Sequence, residues 1–228
     1  MKNQFVLFTF ILIAFALNVQ AQDGYTTKQL TDLVGQLNWD RRIQEGNDNI
    51  AGTPYLEEEF KNGDVYYDKE FKVEQVPLRL NLYNDEFEYK VKNTVMAFAD
   101  PGHIDKIVID TDVYIYLDQD TGPELHGFVK KWNEQLPSIV TKMKTEFLNK
   151  EEPKPFEDTK PDRFDRKLDK NYVMVGNSEF EKISSVKKLI KYLGDHNSEL
   201  TSFAKKEKIS SGDPEELAKL LEYFHSLK

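Results

Sequence analysis

The chain of 228 residues contains no cysteine. This absence excludes a disulfide framework, a thiol nucleophile and a cysteine-ligated metal, so a packed core must supply the stability. Histidine is also scarce, with four residues in the whole chain, and no two of them stand at a ligand spacing such as H-x-x-x-H. The sequence therefore predicts no metal site and no cofactor.

Catalytic signatures are missing as well. The chain has no G-x-S-x-G nucleophile elbow and neither of the glycine-rich patterns that cradle phosphates. We therefore assign no catalytic residue. Acidic residues are plentiful, 40 in all, and a general acid and base could stand on separate strands, because such an assignment depends on spatial separation. An exported carboxylate-dependent hydrolase thus stays open as an alternative.

A net positive charge is lacking too, because the formal net charge is −9. Contacts with nucleic-acid phosphates need clustered lysine and arginine side chains. The composition therefore argues against binding to nucleic acid or to an anionic membrane.

The N-terminus has the pattern of a signal peptide over residues 1–21. Lys2 is followed by an apolar run of 13 residues, Phe5 to Leu17, and then by the cleavage-site pattern Val19-Gln20-Ala21. A retained anchor is the alternative, but spanning a bilayer takes about 20 residues. We expect cleavage before Gln22, a protein that does not span the membrane afterwards, and a periplasmic or secreted location.

The stretch PLRLNLYNDEFEYKVKN, residues 77–93, predicts a hairpin. Leu78, Leu80 and Leu82 share one strand face and Arg79 lies on the other, while Asn84-Asp85 forms the turn. The second strand repeats the alternation with apolar residues at 87, 89 and 91. We expect one face to be buried and the other to meet water.

Short β-prone runs continue to residue 183, and helical periodicity follows. Residues 136–148 fit either a helix or a strand, and their β-branched residues favour a strand. Ser184 or Ser185 caps a helix that stops at Gly194, a second runs over about 197–208, and Asp213 caps a third. An isolated short helix is also predicted over 28–37.

These patterns predict an α+β fold, with a curved antiparallel β-sheet followed by three short helices. The sheet is a meander, and closure into a barrel-like shape is left open. The predicted divisions are a signal peptide over 1–21, a variable N-terminal segment over 22–50, an antiparallel β domain over 51–183 and a helical unit over 184–228 packed on it.

Two groups of residues are candidates for ligand binding. The first is Arg79, Asn81 and Tyr83, which share a strand face, together with Asp85 at the adjoining turn. A network that ties the hairpin to a neighbouring loop explains these residues as well as a ligand site does, and we favour the network.

The second group is Tyr114 and Tyr116, which alternate with aliphatic residues. On a concave face, such an aromatic stripe could hold a lipid, a glycan or a peptide. The alternative, which we favour, is that both tyrosines pack under the C-terminal helices.

The segments GTPYLEEEF, VPLRLNLYNDEFEYK and the tail from Glu181 onward carry a resemblance to a family. The chain resembles small exported proteins of Gram-negative bacteria with a G-x-P-Y-L…E-F opening and a P-L-R-x-N-x-Y-N-D-x-x-E core, over about residues 52–227. Leu80 departs from the aromatic residue expected there. The matching positions are Gly52, Pro54, Tyr55, Leu56, Pro77, Leu78, Arg79, Asn81, Tyr83, Asn84, Asp85 and Glu88. This family has no assigned activity or cofactor, so the resemblance implies export and an ordered fold, but no mechanism.

Three functions remain in competition. The first is a non-enzymatic envelope protein that binds another protein, a lipid or a glycan, or has a structural role. The second is a periplasmic lipid carrier with an apolar β cavity, and the third is the hydrolase. A filled core favours the first, an apolar interior pocket the second, and a buried acidic pair the third.

Overall fold

The computed structural model describes residues 41–42, 50–69, 71–98, 100–121, 124–150, 160–176 and 179–228. The predicted signal peptide and the predicted helix over 28–37 lie outside these ranges. Within them the chain forms thirteen strands and three α-helices.

The strands and helices follow one another as an all-β part and then an all-α part. The bounds are β1 Arg41–Arg42, β2 Lys61–Tyr67, β3 Phe71–Asn81, β4 Glu86–Val91, β5 Thr94–Ala97, β6 Ile104–Ile109, β7 Asp112–Leu117, β8 Gly127–Lys131, β9 Ser138–Lys142, β10 Thr145–Leu148, β11 Arg163–Arg166, β12 Lys170–Met174, β13 Phe180–Lys182, α1 Val186–Leu193, α2 Asn197–Lys206 and α3 Pro214–Ser226. The strand prediction for residues 136–148 is confirmed by β9 and β10.

Eleven of the strands form one antiparallel sheet in the order β1-β5-β4-β3-β2-β6-β7-β8-β9-β12-β13. Two runs of consecutive hairpins are joined where β6 returns to pair with β2. The remaining strands, β10 and β11, pair with each other in a separate two-stranded sheet. The predicted α+β fold and antiparallel meander are confirmed, and the sheet is open rather than closed into a barrel.

The sheet curls strongly around an aromatic core. The ring of Phe87 on β4 lies 4.9 Å from that of Phe128 on β8, centroid to centroid. These strands are five positions apart in the sheet order, which in a flat sheet would separate them by about 24 Å at the usual strand spacing. The ring contact therefore requires that the concave face close over its own side chains.

The three helices pack against the other end of the sheet. Ile139 on β9 and Val173 on β12 are register partners, and both join one buried cluster with leucines of all three helices. The first of these helices, α1, begins four residues after the end of β13. None of the helices in the described ranges is long and apolar enough to cross a membrane.

Local signals set the helix ends as predicted. The Ser185 hydroxyl accepts a hydrogen bond from the Lys188 amide at the start of α1. Gly194, with φ of 81°, is the residue that directly follows the end of this helix. The Asp213 carboxylate accepts from the amides of Glu215 and Glu216 at the start of α3.

The prediction that the second face of the β3–β4 hairpin meets water is wrong. Arg79, Asn81 and Glu88 on that face are only 8%, 5% and 0% exposed. The cause is the segment before β2, which runs along β3: the Leu56 amide donates to the Leu80 carbonyl at 2.9 Å, and the Leu82 amide donates to the Pro54 carbonyl at 2.7 Å. The second face is therefore covered around Arg79, Asn81 and Glu88, while Tyr83 and Lys90 at its ends stay exposed.

Candidate functional site

A buried ion pair lies at the centre of this covered face. The Arg79 guanidinium donates to Glu88 Oε2 from Nη2 at 2.5 Å and from Nε at 3.2 Å. Arg79 on β3 and Glu88 on β4 are register partners, so the strand pairing itself brings the two groups together. Sequence reasoning missed Glu88, because alternation placed it on the face that was expected to be solvated.

The segment before β2 encloses the guanidinium. Its central carbon lies 3.6 Å from the ring centroid of Tyr55 and 4.3 Å from that of Phe60. Its remaining contacts are with the Tyr55 hydroxyl at 3.0 Å and the Glu58 carbonyl at 3.2 Å. Arg79 is thus engaged by protein groups on every side, which matches the expected network and leaves little for a ligand.

Asn81 links the ion pair to the turn. Its side-chain NH₂ donates to Glu88 Oε1 at 3.0 Å, and its carbonyl oxygen accepts from the amides of Tyr83 and Asn84 at 3.1 and 3.0 Å. An asparagine in this role fixes the backbone of the turn.

Asp85 fastens the same turn to a distant part of the sheet. Its carboxylate binds Lys142 Nζ of β9 at 2.6 Å and accepts from the Phe128 amide of β8 at 3.2 Å. Lys142 also donates to the His126 and Phe128 carbonyls at 2.7 and 3.2 Å. Burial lowers the pKa of Lys142, while the charge of Asp85 opposes that shift. Asp85 thus holds the curl of the sheet.

Tyr83 belongs to a different neighbourhood. Its ring makes edge contacts with Phe147 of β10 and Phe164 of β11 at 6.4 and 5.4 Å between centroids, and the side chain is 48% exposed. Together these rings attach the small β10–β11 sheet to the hairpin turn. The first predicted group is therefore divided among three environments rather than converging on one site.

Tyr114 and Tyr116 lie on the concave face, where they help to fill the core. Tyr114 contacts Phe87 at 5.3 Å, and Tyr116 contacts Phe128 at 5.2 Å, between ring centroids. Burial raises the pKa of both phenols. The expectation that they pack under the C-terminal helices is wrong, because their neighbours are the rings of the β core.

Acidic residues are scarce in the buried interior. Glu88 is the one buried acidic residue in the described ranges, and its charge is matched by Arg79. The same ranges contain no group of three or more His, Asp or Glu side chains placed to hold a metal ion. Outside that buried face, the carboxylates of Glu57, Glu59, Asp110 and Asp112 share one small cavity beside the β core.

A small cavity lies next to the β core. Its lining includes apolar Leu78, Phe87 and Tyr114 and the same four acidic residues, and its volume is about 40 Å³. That is close to the roughly 30 Å³ that one water occupies in the liquid. Pockets for drug-sized ligands hold about 300–1,000 Å³, so this cavity is too small for a lipid.

A larger concavity, of about 580 Å³, lies on the helical unit. Its apolar floor comes from Val186 and Ile190 of α1, Ala204 of α2 and Ile209 just beyond it. We call it the α1–α2 groove. Sequence analysis did not find it, because helical periodicity gives the buried face of each helix but not the gap that two helices leave between them.

The rim of the α1–α2 groove is basic. Lys187 of α1 faces it from one side, and Lys205 and Lys208 from the other, with Thr201 completing the lining. The sequence does signal this, since lysines cluster in the region while the chain as a whole is acidic. An apolar floor between cationic walls can bind an amphipathic ligand, one with an apolar part flanked by anionic groups.

Comparison with known proteins adds no relative: no family model, no curated protein and no solved structure matches this chain.

Proposed function

We propose that this chain is an exported envelope protein that works by binding a partner rather than by catalysing a reaction. The supporting observation is the filled concave face of the sheet, where the rings of Phe87, Tyr89 and Phe128 are at most 2% exposed. A lipid carrier must keep that space open for its cargo. Here the space is occupied by the protein's own side chains.

Two observations support the same proposal over the hydrolase: Glu88 is buried, and the cavity lined by acidic residues, at about 40 Å³, has room for little more than one water. A general acid or nucleophile must reach substrate, yet the carboxylate of Glu88 is fully buried against Arg79. A substrate could reach the Glu88 carboxylate only if the segment around Tyr55, which covers it, moved away from β3. The pair serves better as a structural link than as a reactive group.

Export rests on the N-terminal sequence. A short cationic start, an apolar run and a small-residue cleavage pattern indicate secretion. The absence of cysteine suits this, because the fold needs no disulfide to be stable in an oxidising compartment.

The experiment is native mass spectrometry of the protein recovered from the envelope of its own host, followed by lipid extraction of the same sample. We expect a chain that begins at Gln22 and carries no stoichiometric small molecule. Gentle cross-linking before recovery should give a discrete complex with another envelope protein.

Two results would overturn the proposal. A lipid that stays bound at one molecule per chain would indicate the carrier. Recovery of an uncleaved chain from the cytoplasm would remove the envelope assignment, whatever the protein binds.

A further inference from the structure

The α1–α2 groove differs in charge from the rest of the molecule. Residues 186–209 contain six lysines against three acidic residues, whereas the whole chain has a net charge of −9. The excess positive charge is thus concentrated on one helical hairpin. A local field of opposite sign to the net charge steers partners of the complementary sign to that place.

The three lysines at the rim are available to a partner. Lys187, Lys205 and Lys208 are all exposed, and no other residue in the described ranges forms an ion pair or a hydrogen bond with their ammonium groups. By contrast, nearby Lys206 pairs with Glu207 at 3.5 Å, and Lys219 pairs with Glu215 at 3.1 Å. The groove therefore presents unneutralised cations.

The groove runs between two short helices, so its size limits what it can accept. Its α2 side extends from Thr201 to Lys208, which spans about 10 Å at 1.5 Å per residue. That length matches two turns of a helix laid across the hairpin. Such a helix places apolar side chains on one face at i, i+3 and i+4, with acidic residues beside them.

From these features we propose that the α1–α2 groove docks an acidic amphipathic helical segment of a partner protein. Apolar side chains of the segment pack on Val186 and Ile209, which are the more exposed apolar residues of the groove, and its carboxylates pair with Lys187, Lys205 and Lys208. This inference rests on the proposed binding function and gives it a surface and a partner chemistry.

Other occupants fit less well. An acyl chain needs a deep apolar channel, whereas the floor residues Ile190 and Ala204 are themselves only 5% and 8% exposed, so the groove is shallow. An anionic membrane would also meet the acidic remainder of the surface. A second groove, between β13 and α1, is lined by Glu181 together with Lys182, Lys188 and Lys191. Because Lys182 already pairs with Glu124 and Glu181 is itself acidic, this groove presents less unpaired positive charge than the α1–α2 groove.

The test uses a synthetic peptide as the probe and the mature chain as the target. The peptide has leucines at i, i+3, i+4 and i+7 with glutamates between them, and is capped at both ends. Titration into ¹⁵N-labelled protein should shift the amide resonances of α1 and α2 above all others. Two control peptides, one with lysine for glutamate and one with serine for leucine, should bind at least about tenfold more weakly, because each lacks one of the two complementary features.

Charge reversal at the rim provides the first variant. Lys187→Glu/Lys205→Glu/Lys208→Glu should weaken peptide binding at least about tenfold, since three attractions become repulsions. Thr201→Trp provides a second variant that fills the groove without changing its charge, and it should abolish binding as well. All four positions are exposed, so the melting temperature should stay within a few degrees.

The matched control places the same change of charge on the same helical unit outside the groove. Lys191→Glu/Lys206→Glu/Lys219→Glu should reduce binding less than about threefold, because these charges act on the peptide only over long distances, where salt screens the interaction. Equal losses in the rim and control variants would mean a general charge effect and would overturn the inference.

The remaining outcomes separate this inference from the proposed function. If vesicles containing phosphatidylglycerol bind through the rim lysines and the peptide does not, the groove recognises a membrane and the inference is wrong. If the peptide fails while cross-linking finds an envelope partner on another surface, the inference is wrong but the proposed function stands. If the protein carries a stoichiometric lipid or is not exported, the proposed function itself is wrong.

Discussion

Removing the Arg79 guanidinium tests the interpretation of the covered hairpin face most directly. Arg79→Ala leaves the carboxylate of Glu88 fully buried with only Asn81 as a side-chain partner. Breaking a buried ion pair by deleting one member costs about 3–5 kcal/mol, because the other charge loses its compensation. The stacking of the guanidinium between Tyr55 and Phe60 is lost at the same time.

This loss is large enough to measure by thermal or urea unfolding. In a domain of about 150–250 residues, each kcal/mol lowers the melting temperature by about 2–4 °C. Arg79→Ala should therefore melt about 6–20 °C lower. Arg166→Ala is the control, because its ion pair with Asp169 is about 40% exposed on both sides, and such pairs contribute at most about 1 kcal/mol.

A double variant separates the charge effect from the packing effect. Arg79→Met/Glu88→Leu removes both charges and keeps apolar volume, so it should recover more than half of the stability lost in Arg79→Ala. An Arg79→Ala protein that melts within 2 °C of the parent, about what the Arg166→Ala control loses, would refute the structural role. The ligand-binding hypothesis for this residue would then take precedence.

Three further predictions concern Asp85 at the hairpin turn, its neighbour Gly127, and the exposed His103. Asp85→Ala removes the acceptor of Lys142 and should cost about 1–3 kcal/mol in urea unfolding. Gly127→Ala should cost about as much, because φ is +99° and a Cβ there would overlap the Asp85 carboxylate; the double variant should lose less than the sum. The hydrogen bond to Asp68 raises the pKa of His103 above 6.5, so its stabilising contribution is present below pH 6.5 and is lost as the pH rises through the folded-state pKa. NMR titration of Asp68→Asn should show the His103 pKa falling toward 6.5, and an unchanged value would contradict this cause.

Much of the fold was predictable because its signals are local. Ser185, Gly194 and Asp213 mark helix ends through their own hydrogen bonds and backbone angles, which depend on a few neighbouring residues. The strand alternation in residues 78–91 likewise assigns faces through the two-residue repeat of a strand.

Non-local contacts account for what the sequence did not predict. Alternation placed Arg79 and Glu88 on one face correctly, yet only the return of residues 54–60 along β3 makes that face buried. The pairing of β6 with β2 instead of β5 has the same origin, because no turn residue encodes it. Tyr114 could be assigned to a face, but its packing on Phe87 depends on how strongly the sheet curls.

Because the sheet is open, its edges determine whether it can pair with strands of other chains. An unpaired strand edge is a template on which a second chain can add a strand, and long apolar edges therefore nucleate fibres. Here the sheet ends at β13, which spans three residues, Phe180–Lys182, with exposed Glu181 and Lys182. An edge this short and charged offers little for intermolecular strand addition, so this end of the sheet resists such pairing although the sheet does not close on itself.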